Sequence, residues 1–133
     1  ERERFFINFA AEKAAQLSFY NESENQYAPI FVDEGILGQD ESGYFIAHDI
    51  YEEWALEKHV GILYRASTNI EDFLNRIGTS LPLRRAFRNW LGDMLEYDKD
   101  VIVAMVDVVC GNMEIEAFWK DEILISILMY AGN

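Results

Sequence analysis

Two stretches of the chain decide its fold: residues 33–38, Asp33-Glu34-Gly35-Ile36-Leu37-Gly38, and residues 43–56, Gly43-Tyr44-Phe45-Ile46-Ala47-His48-Asp49-Ile50-Tyr51-Glu52-Glu53-Trp54-Ala55-Leu56. Residues 30–38 read as the end of a short helix followed by a strand. Gly35 suits the left-handed position just past a helix C-terminus, where a Cβ is penalised. Residues 39–43, Gln39-Asp40-Glu41-Ser42-Gly43, form a polar hairpin loop, and Tyr44 to Ala47 is the returning strand. Asp49 with Glu52 has the spacing of a capping box that opens a helix running to about Arg65. Ile50, Trp54, Ala55, Val60 and Leu63 supply its apolar side. This hairpin is the only clear β signal in the sequence.

The flanking segments read as helices. Residues 1–20 place Phe6, Ala10, Ala14 and Leu17 at three- and four-residue spacing. The polar stretch 21–25 is turn-like, and Pro29 follows it. After the hairpin and long helix, a short helix runs from Asn69 to Ile77 and is closed by Gly78. Another follows Pro82, with Leu83, Phe87, Trp90, Leu91, Met94 and Leu95 on one stripe. Residues 99–109 are almost all apolar, a pattern shared by buried helices and buried strands. A helix is expected, because no partner strand lies nearby in sequence. The last element starts near Ile115 and presents Trp119, Ile123, Leu124, Ile127 and Leu128 on one side, with Lys120, Asp121 and Glu122 on the other. The expected fold class is mainly α: a winged-helix unit with one small β-hairpin over residues 1–66, then an all-α helical array over residues 67–133.

Composition bounds the function. The 133 residues carry 11 Lys+Arg against 24 Asp+Glu, a formal net charge of −13. Such a surface repels phosphate backbones and anionic lipid heads, so neither nucleic acid nor membrane is an expected partner. The region Ala28 to Gly38, where a winged helix would read DNA, holds Asp33 and Glu34 and no Lys or Arg. One cysteine, Cys110, excludes an intramolecular disulfide and favours a reducing, cytoplasmic setting. No apolar run approaches the roughly 20 residues that span a bilayer. No phosphate loop, dinucleotide turn, C-x-x-C pair, H-E-x-x-H motif or Gly-flanked nucleophilic serine is present, so no catalytic residue and no metal site is assigned. The chain starts at Glu1 without methionine and stops at Asn133 beyond an apolar segment, which reads as an excised piece of a longer protein.

The ordered pair of segments, Asp33–Gly38 with Gly43–Leu56, resembles the winged-helix region of STAND-class signalling ATPases, the relatives of apoptosome, NACHT and NB-ARC proteins. In that family an E-G-I/L-L strand precedes a hairpin, an aromatic-x-x-His-Asp motif and a helix containing Trp-Ala or Tyr-Ala. The later run Phe118-Trp119-Lys120-Asp121-Glu122-Ile123-Leu124-Ile125-Ser126-Ile127-Leu128 is similar to a W-x-D-E helix of the bacterial antiviral members. The resemblance implies a non-catalytic regulatory module. Its parent would hold ADP or ATP with Mg²⁺ in an upstream nucleotide-binding domain, carry a downstream sensor region and form homo-oligomers. It implies one site residue here: His48 would contact the β-phosphate of ADP, with Asp49 beside it. Without the resemblance, the same residues describe a helical protein-interaction module.

The remaining polar residues have plainer expectations. Asp49 is a helix cap, and His59 a surface or half-buried histidine. Trp54, Trp90 and Trp119 stand at core spacing, and Cys110 follows an apolar run as a buried thiol. Arg84, Arg85 and Arg88 form a basic cluster. They fit pairing with acidic neighbours better than contact with a phosphate or a partner's acidic face.

Overall fold

The computed structural model describes residues 1–16, 26–41 and 43–130. Leu17, the end of the first predicted helix, the predicted turn at 21–25 and the loop residue Ser42 lie outside them. Among the described residues the protein is mainly α, with seven helices and one two-stranded antiparallel hairpin. The chain divides into two compact units, Glu1–His59 and Val60–Asn133. The division falls inside the long helix. The cause is Tyr64, whose ring meets Phe73 at 5.2 Å and Trp90 at 4.9 Å between centroids. The last turns of that helix belong with the second unit's aromatic core.

The first unit contains α1 (Arg2–Gln16), α2 (Ala28–Asp33), β1 (Leu37–Asp40), β2 (Gly43–Ile46) and the start of α3 (Asp49–Ala66). Helix α1 buries Phe6, Ala10 and Ala14 at the predicted spacing, joined by Ile7 and Phe9. Helix α2 has Pro29 in its first turn, where the missing N–H costs nothing. It ends in a Schellman turn. Gly35 takes φ +79°, its N–H donates to Val32 O at 3.1 Å, and the Ile36 N–H donates to Phe31 O at 2.9 Å. The Ala47 N–H donates to Ile36 O at 2.9 Å, which ties the far end of the hairpin to that turn.

The hairpin pairs Leu37 with Ile46 and Asp40 with Gly43, so its loop is two residues, tighter than the predicted 39–43. The strands extend because Gln39 and Asp40 are exposed and lose nothing by pairing their backbones across from Tyr44 and Gly43. Gly38 faces Phe45, whose ring lies where a Cβ would stand; the aromatic covers the glycine on the opposite strand.

The second unit contains α4 (Ile70–Ile77), α5 (Leu81–Tyr97), α6 (Lys99–Gly111) and α7 (Ala117–Tyr130). Asn69 caps α4, its side chain accepting the Asp72 N–H at 2.8 Å, while Asp72 accepts the Thr68 N–H at 3.1 Å. Gly78 closes the helix at φ +82°, ψ −159°. Helix α5 is central and touches α4, α6 and α7. Its predicted stripe is buried at Leu83, Phe87, Trp90 and Leu91. Phe87 stands edge-on to Trp119 at 5.0 Å and Phe73 edge-on to Trp90 at 5.2 Å, a cluster that joins α4, α5 and α7. The apolar segment after Asp98 is helical, as expected.

Four expectations fail here. Trp54 is not core: it is 43% exposed, and Ile50 is exposed beside it, because α3 turns Ala55, Leu56 and Val60 inward instead. Cys110 is exposed near the end of α6, whose buried positions are Ile102, Met105 and Val109. On α7 the buried stripe is Trp119, Glu122, Ile123 and Ser126, so Glu122 is inside while Leu124 and Leu128 are exposed. The helix face chosen by hydropathy alone is rotated from the face that α5 accepts. The capping box is not made. Helix α3 begins at Asp49 itself, one residue early, and the Glu52 carboxylate stands 3.6 Å from Lys13 Nζ on α1.

Candidate functional site

His48 occupies the single residue between Ala47, tied to Ile36, and the first turn of α3. Its carbonyl accepts the Tyr51 N–H at 3.1 Å, so it holds the position before the helix that the sequence reading gave to Asp49. Both neighbours in the chain are thus anchored, and the backbone direction at His48 is set by the hairpin on one side and the helix on the other. The ring itself is exposed. Its one contact among the described residues is edge-on to the Tyr51 ring, 5.7 Å between centroids. No hydrogen-bond partner within the described residues occupies either ring nitrogen.

Such an imidazole can donate to an anion from outside the chain. His48 directly precedes the first turn of α3, where free amides and the helix dipole favour negative charge. Asp49 and Glu52 in the same turn oppose it. An anion at this place therefore depends on the imidazole donating. Asp49 makes no hydrogen bond among the described residues and remains exposed. His59, on the same helix, is half-buried; desolvation lowers its pKa, keeping it neutral near pH 7 as a packing group.

The basic cluster resolves into a pair and a lone residue. Arg84 donates from Nε at 3.0 Å and from Nη2 at 2.7 Å to Glu122 Oε1. Arg88 donates from Nε to Oε2, and from Nη2 to Oε1 at 3.1 Å. The Arg84 guanidinium also lies over the Phe118 ring, 4.6 Å from its centroid. Burial pushes the Glu122 carboxyl up, but the hydrogen bonds and charges of Arg88 and Arg84 outweigh it and hold its pKa below the ordinary carboxylate value. Both arginines are committed internally, which removes them as phosphate contacts. Arg85 is exposed and without a partner among the described residues.

The sequence held one signal for this site. Arg84 and Arg88 are four residues apart, on one helix face, and two guanidiniums so placed call for a shared carboxylate. Which carboxylate answers is a tertiary fact. Among the described residues no group of three His, Cys, Asp or Glu side chains could hold a metal ion. No described helix is long and apolar enough to cross a membrane.

A search of protein families and curated proteins finds no match for the chain.

Proposed function

We propose that this chain is a non-catalytic regulatory module of a STAND-class ATPase, in which His48 reads the phosphate state of a nucleotide held by another domain of the same protein. The observation that carries the reading is an exposed imidazole at the junction of the hairpin and α3, with no hydrogen-bond partner among the described residues, within the aromatic-x-x-His-Asp pattern Phe45 to Asp49. ADP or ATP with Mg²⁺ would be bound upstream, and the state would pass to a sensor region downstream. The parent would oligomerise on activation and act in the cytoplasm, in the manner of antiviral STAND proteins. A contact made with ADP and lost with ATP is the differential interaction that a two-state switch requires.

The test is His48→Ala in the full-length parent. One charge-assisted hydrogen bond contributes roughly 1.5–3 kcal/mol, so ADP retention should weaken about tenfold to a hundredfold and basal activation should rise. Unchanged ADP occupancy together with unchanged basal activity refutes the reading. The isolated chain should not retain ADP by itself, since micromolar affinity needs about −8.2 kcal/mol.

A second reading, a helical protein-interaction module with no nucleotide link, is favoured by the exposed Ile50, Tyr51 and Trp54 at the start of α3. The gene upstream of Glu1 discriminates: a phosphate loop there supports the first reading, and a different domain supports the second. DNA binding has no support from the acidic surface, and duplex binding at low salt would be needed to revive it.

A further inference from the structure

We propose that the groove lined by Phe6, Phe31, Tyr51 and Trp54 is a recognition site for an arginine side chain of a basic polypeptide. It lies wholly in the Glu1–His59 unit, has a volume of about 330 Å³, and is rimmed by Glu3 and Glu34. That volume is at the small end of ligand clefts and suits one side chain rather than a folded surface.

The structure already holds a guanidinium at one end of it. Arg2 Nη2 donates to Glu34 Oε1 at 2.6 Å and Oε2 at 2.7 Å, and the Arg2 guanidinium lies 5.3 Å from the Phe31 ring centroid. The recognition chemistry, one carboxylate plus one aromatic face, is thus displayed within the chain. At the Trp54 end the lining offers further aromatic surface, and Glu3 adds a second carboxylate to the rim. The Glu3 carboxylate has no partner among the described residues, and Trp54 and Tyr51 are exposed at 43% and 37%. Phe6 joins the two ends, 5.5 Å from Phe31 and 6.5 Å from Trp54 between ring centroids.

Aromatic faces attract a cation through their quadrupole, tryptophan most strongly, and arginine is the commonest partner. A surface carrying a net charge of −13 draws basic segments and repels acidic ones. Two exposed aromatic rings in a groove that Glu3 also lines therefore select an arginine-bearing polypeptide over a nucleic acid or an anionic membrane. In the free protein Arg2 acts as an internal competitor for part of the groove. The inference does not depend on the nucleotide reading of His48.

The test is a titration of the 133-residue protein with a blocked peptide of alternating glycine and arginine, followed by amide and indole NMR shifts. Trp90 and Trp119 are buried, so the Trp54 indole is the surface reporter among the three tryptophans. A single-residue site should saturate with a Kd on the order of 1 mM or tighter. The same peptide with citrulline in place of arginine should not bind. Glu3→Gln and Trp54→Ala should each weaken binding about two- to fivefold, and Arg2→Ala should tighten it by about the same factor by freeing Glu34 and the Phe31 face. Equal shifts from the citrulline peptide, shifts that do not saturate, or affinity indifferent to both Glu3→Gln and Trp54→Ala would overturn the proposal.

Discussion

Replacing Glu122 by glutamine isolates the charge of the buried carboxylate while keeping its shape. The side chain is 2% exposed and accepts four hydrogen bonds from Arg84 and Arg88. Breaking a fully buried ion pair costs about 3–5 kcal/mol, because the abandoned charge stays desolvated. Here the arginine side chains are 26% and 33% exposed, so each guanidinium can be partly hydrated after the substitution. Glutamine also retains one acceptor oxygen. A loss of about 2–3 kcal/mol is expected. Urea unfolding followed by the emission of Trp90 and Trp119, both in the same unit as Glu122, reads it directly. With a slope of about 1–3 kcal/mol per molar urea, the midpoint should fall by roughly 1 M or more.

Two further arms sharpen the experiment. Arg84→Met, Arg88→Met and Glu122→Leu combined should restore or exceed the original stability, since a well-packed apolar replacement of a buried ion triad is often neutral or better. The acid dependence has a defined sign. The folded pKa of Glu122 lies below its ordinary value of 4.5, so its contribution is complete above that pH and is lost as pH falls through the lower folded value. The glutamine variant should lack that part of the acid slope. A loss under about 0.5 kcal/mol at neutral pH, with the acid slope unchanged, refutes the assignment of Glu122 as the charge that fixes α7 against α5.

Three other outcomes follow from local geometry and from the site. Asn69→Ala removes the acceptor for the Asp72 N–H and should cost about 1 kcal/mol, measured by the same urea titration. Gly78→Ala forces a Cβ into a backbone region almost reserved for glycine; nothing stands within 4 Å of that Cβ, so the expected loss of about 1–3 kcal/mol is backbone strain alone. His48→Ala should leave urea stability within about 0.5 kcal/mol, because the exposed ring is not part of the core. Under the proposed function its effect falls on ADP retention in the parent.

The local elements were legible where a residue acts on its own backbone. Gly35 and Gly78 at helix ends and the spacing of Phe6, Ala10 and Ala14 each act within a turn or two, and each stands where its chemistry places it; Asn69, read as the first residue of α4, is instead its cap. The candidate site was half legible. His48 could be located from its neighbours, but its exposure, and the absence of a hydrogen-bond partner among the described residues, depend on what packs around it. Trp54 was misplaced for a physical reason. Apolar residues surround the start of α3, and periodicity cannot choose between two apolar faces. Glu122 was misplaced for the converse reason: a charge reads as solvent-facing until two arginines from another helix are known to wait for it.

The sequence by itself determined a mainly helical fold with one hairpin among the described residues, the glycine-closed helix ends at Gly35 and Gly78, and an acidic charge balance. These follow from backbone preferences and charge, which need no partner from elsewhere in the chain. Only the tertiary structure decided which helix faces are inside, that Arg84, Arg88 and Glu122 form one buried charge group, and that Trp54 and Tyr51 face solvent. Those outcomes depend on pairwise fit between elements far apart in sequence, where the energy of a side chain is set by its neighbours rather than by its own type.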